Sequence, residues 1–119
     1  MSDLRVASIA GADGTSPATL VKQSAAKAWS NLNGTGTIAL RDSFNVSSVT
    51  DNGTGSYTKN FANAFSSADY SAAPGVGIMS TIIGFGTLAA GSIGIECRNS
   101  AFSPSDPAQV HCIVQGDLA

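Results

Sequence analysis

The stretch 26–61, AKAWSNLNGTGTIALRDSFNVSSVTDNGTGSYTKNF, contains the tetrapeptide Asn-Gly-Thr-Gly twice, at residues 33–36 and 52–55. Asn-Gly between alternating apolar and polar residues favours a two-residue type I′ hairpin turn, because Asn tolerates a positive φ and Gly accepts it without steric cost. Two such turns in a short chain predict antiparallel β structure. The residues expected to form them are Asn33, Gly34, Asn52 and Gly53.

Short alternating segments extend the β pattern over most of the chain. Strands are predicted at 26–32, 37–46, 56–61, 70–78, 80–85, 92–98 and 109–115. Pro74 and Gly75 should interrupt the fourth strand, a Gly-rich loop is expected at 86–91, and the last two strands should pair as a hairpin. No long helical pattern competes. Regular turn signals between short strands are typical of a sandwich.

We therefore predict an all-β chain whose single domain spans 18–119. Its architecture should be a small antiparallel β-sandwich or a jelly-roll-like domain. Residues 1–17 are too weakly apolar to hold themselves in place, so we expect an extended N-terminal arm that docks on another protein or exchanges between subunits. Among the aromatic residues, Trp29 and Phe61 are expected in the core.

Composition narrows the possible partners. Only 12% of the 119 residues are charged, compared with about 25% in average proteins. The net charge is −2 and the chain has no basic stripe, which argues against nucleic-acid binding. No apolar run approaches the roughly 20 residues that span a bilayer, and the N-terminus does not read as a secretion signal. We expect synthesis in the cytosol and no membrane insertion.

The two cysteines, Cys97 and Cys112, are expected to face each other in the last pair of strands. They would form either a disulfide or two buried thiols that act as small hydrophobic side chains. We favour buried thiols, because a chain made in the cytosol folds where thiols stay reduced. His111 should lie on the opposite face from Cys112, which argues against a Cys-His dyad. A His cluster on a threefold axis is an alternative hypothesis.

No residue pattern indicates catalysis. The carboxylates are scattered and mostly lie beside turns, so that Asp51 is expected to bond the backbone of its own turn. The chain lacks an EF-hand, a phosphate-binding loop and a nucleophile elbow. We expect no enzymatic activity and no cofactor.

Residues 24–61 resemble a segment of tailed-phage tail-fibre-like virion proteins. The resemblance rests on Ala-Lys-Ala-Trp at 26–29, the two Asn-Gly-Thr-Gly turns, Phe-Asn-Val-Ser-Ser at 44–48 and the alternating strand at 57–61. It implies a small β domain, typically a homotrimer, in the virion. No catalytic residues are implied at these positions. The arm at residues 2–17 would then contact other virion proteins.

This resemblance implies host-surface adhesion by multivalent binding, with a host glycan or outer-membrane protein as the partner. Loops at 62–69, 86–91 and 99–108 are the candidates for receptor contact. In the last of these the candidate residues are Asn99, Phe102, Ser103 and Asp106. The alternative function is architectural, as a capsid decoration or head-fibre subunit.

Overall fold

A computed structural model describes residues 25–77, 79 and 81–119, so the predicted arm at 1–17 lies outside the described residues. Eight strands follow the alternating segments of the sequence. They are β1 (Ala28–Asn33), β2 (Ala39–Phe44), β3 (Val46–Gly53), β4 (Ser56–Phe61), β5 (Ser71–Val76), β6 (Ile82–Ala89), β7 (Ser92–Arg98) and β8 (Val110–Gln115).

The strands form two antiparallel four-stranded sheets, with the orders β2-β1-β8-β5 and β3-β4-β7-β6. The sheets pack face to face, and the predicted all-β sandwich is confirmed. Hairpins β1–β2, β3–β4 and β6–β7 each stay within one sheet, whereas the other connections cross between sheets.

Alternate residues of the central strands fill the space between the sheets, as the pleat of a strand requires. The inward faces carry Ala28 and Leu32 from β1 and Tyr57 and Phe61 from β4. The rest of the buried apolar set is Phe65, Ile93, Ile95, Cys97, Val110, Cys112 and Val114. The prediction for Phe61 is confirmed. The prediction for Trp29 is wrong, because its neighbours Ala28 and Ser30 point inward and Trp29 is 36% exposed on the outer face.

Three predictions about the second half of the chain are wrong. Strands β7 and β8 do not pair, because the long connection at 99–109 carries the chain from one sheet to the other. Pro74 and Gly75 do not interrupt β5, which is an edge strand and therefore tolerates a residue without an N–H donor. Most of the predicted loop at 86–91 is strand β6, and only a tight turn at 90–91 follows it.

Both predicted hairpins form, but not with type I′ turns at Asn-Gly. Asn33 ends β1 before a connection at 34–38, whereas Asn52 and Gly53 lie within β3 and the turn is Thr54-Gly55. Neither Asn has a positive φ. Among the described residues, the glycines with positive φ are Gly36 (61°), Gly53 (123°) and Gly55 (71°).

Side chains explain this shift of the turns. Asn33 Oδ1 accepts hydrogen bonds from the Thr35 N–H (3.1 Å) and from Thr35 Oγ1 (2.7 Å), which satisfies Asn33 in an extended conformation. Asp51 Oδ1 accepts from the Gly53 N–H at 3.0 Å, as expected for a side-chain-to-backbone turn. The repeated tetrapeptide therefore has the same sequence but two different conformations.

Asn45 alone joins β2 to β3 and moves the chain from one sheet to the other. It has a φ of 57°, which Asn adopts more readily than most residues. Its Oδ1 accepts from the Asn63 N–H at 2.7 Å, and its Nδ2 donates to the Asn63 carbonyl at 3.0 Å. This corner fixes where the two sheets meet.

Replacing Asn45 with alanine should lower the free energy of unfolding by about 2 kcal/mol, since it removes the three side-chain hydrogen bonds to Asn63 and puts a residue that tolerates positive φ less well than Asn at this corner. Asn45→Gly removes the same bonds but accepts the backbone conformation, so we expect a loss of about 1 kcal/mol. Urea unfolding of both variants measures the difference. Equal losses would show that the positive φ carries no cost at this corner.

Candidate functional site at the loop end

Four connections meet at one end of the sandwich, which we call the loop end: those between β1 and β2 (34–38), between β3 and β4 (54–55), between β5 and β6, and between β7 and β8 (99–109). Backbone hydrogen bonds hold the last of them in place. The Gly34 N–H donates to the Pro107 carbonyl (3.0 Å), the Gly77 N–H donates to the Gln109 carbonyl (3.3 Å), and the Ser105 N–H donates to the Cys97 carbonyl (3.1 Å). The described chain begins and ends at the opposite end, which we call the terminal end.

Asp106 anchors the 99–109 connection to the β3–β4 hairpin. Its Oδ1 accepts a hydrogen bond from the Tyr57 hydroxyl at 2.6 Å and another from the Gly55 N–H at 2.7 Å. Tyr57 is buried, and this burial, together with the Asp106 carboxylate beside the hydroxyl, raises the pKa of Tyr57 far above its usual value. The Tyr57 hydroxyl therefore keeps its proton and donates it to Asp106.

Two glycines of the repeated tetrapeptide allow this close packing. A β-carbon on Gly34 would lie 2.6 Å from the Pro107 carbonyl oxygen, and one on Gly55 would lie 2.9 Å from the Ser105 nitrogen. The corresponding glycines of the other copy, Gly53 and Gly36, have open space around them. Each copy of Asn-Gly-Thr-Gly thus packs closely against the 99–109 connection through a different glycine, Gly34 in the first copy and Gly55 in the second.

The 99–103 turn presents Phe102 to solvent. Asn99 Oδ1 accepts from the Ala101 N–H (2.9 Å) and the Ser103 N–H (3.0 Å), and the Asn99 N–H donates to the Ser103 carbonyl (2.8 Å). Phe102 has a φ of 63° and is 65% exposed. A bulky residue at positive φ is a true outlier, and such strain concentrates at functional sites.

Arg98 supports the exposed ring. Its guanidinium carbon lies 4.9 Å from the centre of the Phe102 ring, and Nη1 donates to the Phe102 carbonyl at 3.3 Å. Across the strand pair, the exposed Ile82 lies opposite Arg98. Together, Ile82, Arg98 and Phe102 form a surface of one aliphatic, one cationic and one aromatic side chain, which we call the Phe102 patch.

The four predicted contact residues of this loop have different roles in the structure. Phe102 is exposed, whereas the polar atoms of Asn99 build the turn and the Ser103 backbone closes it. Asp106 bonds inward to Tyr57 and Gly55. Of the other two candidate loops, 86–91 is mostly strand β6, and 62–69 lies at the terminal end, where the Phe65 N–H donates to the Ala90 carbonyl. The candidate loops therefore do not make one surface.

Sequence reasoning did not select Arg98 or Ile82 for this site. The strand alternation carried the signal for Arg98, since it places Arg98 on the outer face while Cys97 points inward. Alternation within a strand does not show which strands pair, and it is the pairing of β6 with β7 that brings Ile82 opposite Arg98.

The cysteines belong to different sheets, with Cys97 on β7 and Cys112 on β8. The prediction that they face each other across a pair of strands is therefore wrong, and both are buried free thiols. Burial raises the pKa of Cys97 to about 11 and also raises the pKa of Cys112. Buried thiols with raised pKa values are poor nucleophiles.

Lys59 is the unexpected residue of the core. It shares the inward face of β4 with Tyr57 and Phe61, is 1% exposed, and its Nζ has no hydrogen-bond partner. Ser30 Oγ is likewise buried and unpaired, and both residues line a small crevice together with Cys112. Burial lowers the pKa of Lys59, and the neighbouring thiols oppose this effect only in part.

His111 lies on the outer face of β8, between Asn31 and Gly75 of the neighbouring strands. Its face is opposite to that of Cys112, as predicted from the strand alternation. Within residues 25–77, 79 and 81–119, no group of three His, Cys, Asp or Glu side chains could hold a metal ion. The same part of the chain has no helix that is long and apolar enough to cross a membrane.

The fold and the loop end define a β-sandwich domain with an ordered, aromatic surface loop. Comparison of the chain with protein-family models, with curated proteins and with solved structures found no match.

Proposed function

We propose that this chain is a phage virion structural protein of the tail-fibre type, which binds the host surface through its loop end. It acts as an adhesion protein and not as an enzyme. The partner would be a host-surface glycan or outer-membrane protein. Several copies per virion would give avidity well above the affinity of a single contact.

The Phe102 patch is the observation that carries the proposal. Aromatic and Arg side chains are enriched among residues that dominate binding energy. Here the ring is held by a hydrogen-bonded turn and by a guanidinium, so little side-chain freedom is left to lose on binding. The described chain begins at the opposite end, so attachment of the preceding residues to other virion proteins would leave this patch accessible.

The outer face of the first sheet supports a multimer. Trp29 lies directly between Phe44 of β2 and Ile113 of β8, and all three side chains are exposed. A contiguous apolar row of this kind marks a contact surface. We propose that it packs against other copies in a homotrimer, which would present three Phe102 patches together.

Phe102→Gly is the variant that tests the loop end. Glycine accepts the φ of 63°, so stability should be unchanged or slightly higher. Loss of the ring should weaken each contact by about 2 kcal/mol, roughly thirtyfold. The measurement is competition: purified protein should block phage adsorption to host cells, and the variant should block it far less well.

Leu118→Ala is the matched control, because it shortens an exposed apolar side chain at the terminal end. This control should compete like the unaltered protein. Full competition by Phe102→Gly would refute the role of the Phe102 patch. Immunogold electron microscopy of virions then separates the two locations: label on the tail supports a tail-fibre role, and label on the head supports the architectural alternative, a decoration or head-fibre subunit.

A further inference from the structure

A cleft of about 460 Å³ opens at the terminal end, far from the Phe102 patch. One wall is the loop after β4, with Ser66, Ser67 and Asp69, and the other is the end of the chain, with Gln115 and Asp117. This volume falls within the range of about 300–1,000 Å³ that is typical of small-molecule sites.

The floor of this cleft is aromatic and rigid. The rings of Phe65 and Tyr70 pack at 4.8 Å between centroids. The Tyr70 hydroxyl donates towards two carbonyls, those of Ala89 (3.0 Å) and Ser92 (2.8 Å), which fixes the ring in place. Tyr70 is only partly buried and is one of the residues that line the cleft.

The two walls are also fixed relative to each other. The Ser66 N–H donates to the Asp117 carbonyl at 2.8 Å, and the Ala119 N–H donates to the Ala64 carbonyl at 3.0 Å. A β-carbon on Gly116 would lie 2.8 Å from Tyr70 Cβ, so glycine lets the end of the chain approach the floor closely. The cleft is thus formed before any molecule enters it.

The chemical groups that line the cleft indicate what kind of molecule it can bind. It consists of hydroxyl, carboxylate and carboxamide groups over an aromatic floor, with no Lys, Arg or His among the lining residues. Two carboxylates without a cation disfavour anions such as phosphate. Carboxylates accept strong hydrogen bonds from hydroxyl groups, and an aromatic ring covers apolar C–H surface.

We propose that this cleft binds a neutral saccharide of one or two sugar units. Asp69 and Asp117 accept hydrogen bonds from its hydroxyl groups, the serine hydroxyls add further bonds, and its apolar face rests against Tyr70. A calcium site fits less well, because no three acidic, His or Cys residues converge in the described part of the chain. The inference does not depend on the virion role or on the Phe102 patch.

Nuclear magnetic resonance titration of the full chain tests this inference. The probes are the methyl glycosides of glucose, galactose, mannose, rhamnose and N-acetylglucosamine, each added separately. We expect at least one to shift the amide signals of Ser66, Asp69 and Asp117 saturably, with a Kd of about 1 mM or below. Glucuronate, which carries a carboxylate, should bind at least tenfold more weakly than glucose.

Asp69→Asn keeps the side-chain shape and should weaken the same titration at least tenfold. Asp117→Asn is the second variant, and an otherwise unchanged spectrum shows that each variant is folded. Phe102→Gly should bind the sugar normally, which separates this site from the proposed receptor contact. The inference is overturned if no glycoside gives a saturable shift, if neither Asp variant weakens binding, or if calcium chloride alone shifts these amides while the sugars do not.

Discussion

Replacing Lys59 with methionine should stabilise the protein at neutral pH by about 1–4 kcal/mol. The Lys59 side chain is enclosed between the two sheets, and its Nζ has no hydrogen-bond partner. An unpaired amine in such a site loses its hydration and gains no bond in return. Methionine has a similar length and an apolar end, so it should fill the same space without this cost.

The pH dependence of stability gives the same test a second readout. Because the folded-state pKa of Lys59 lies below its unfolded value, the unfolded chain binds a proton that the folded chain does not. Stability should therefore rise with pH between the folded-state pKa and about 10.4, by up to about 1.4 kcal/mol per pH unit. As the pH falls through the folded-state pKa, the folded protein also takes up the proton and the slope ends.

Urea unfolding of both proteins over a pH series that extends up to about 10.4 measures this effect, and the thiols, which titrate at about 8.5 in an unfolded chain, are common to both proteins and cancel in the difference. The difference between the Lys59→Met variant and the unaltered protein should shrink as the pH rises. Lys59→Arg is the opposing variant: its guanidinium stays charged, so it should destabilise the fold strongly. A Lys59→Met variant less stable than the unaltered protein would show that the amine has a favourable role in the core.

Gly55→Ala should be among the most damaging single substitutions in the chain, with a loss of at least about 3 kcal/mol. The new β-carbon would meet the Cys97 carbonyl and lie 2.9 Å from the Ser105 nitrogen, both of which are backbone atoms. The φ of 71° adds the strain of a left-handed conformation. The substitution would therefore separate the 99–109 connection from the β3–β4 hairpin.

Gly36→Ala is a control supplied by the repeat itself. Gly36 holds the same position in the first Asn-Gly-Thr-Gly and has a similar φ of 61°, but a β-carbon at this position would have no other atom within 4 Å. The substitution should cost only about 1–2 kcal/mol, which is the backbone strain alone. Thermal unfolding compares the two variants, and equal melting temperatures would contradict the close packing of Gly55.

Strand alternation predicted the fold class and the inward position of Phe61 because it reports a local property of the backbone, but it did not show which face of β1 is buried, and Trp29 is exposed. The same alternation puts Lys59 on one face of β4 with Tyr57 and Phe61, but a local pattern does not show how completely the two sheets enclose that side chain. Strand alternation does not predict turn type, because the conformation of each Asn-Gly-Thr-Gly depends on side chains such as Asn33 and on distant partners such as Pro107.

The candidate site could be predicted only in part, because it depends on contacts between residues that are distant in the sequence. The sequence predicted a loop at 99–108, and the structure has a connection at 99–109 that exposes Phe102. The inward role of Asp106 depends on Tyr57, 49 positions away, and no local pattern reveals such a contact. For the same reason, the pairing of β7 with β4 and β6 was not predicted.

The pairing of β1 with β8 has a consequence for how the protein folds during synthesis. The sheet β3-β4-β7-β6 has all its strands once β7 has left the ribosome, whereas the sheet β2-β1-β8-β5 lacks a central strand until β8 emerges. Contacts between segments this distant in sequence form slowly. Until then β1 and β5 expose unpaired edges and the inner face of the first sheet, so the nascent chain is most prone to aggregate before β8 emerges.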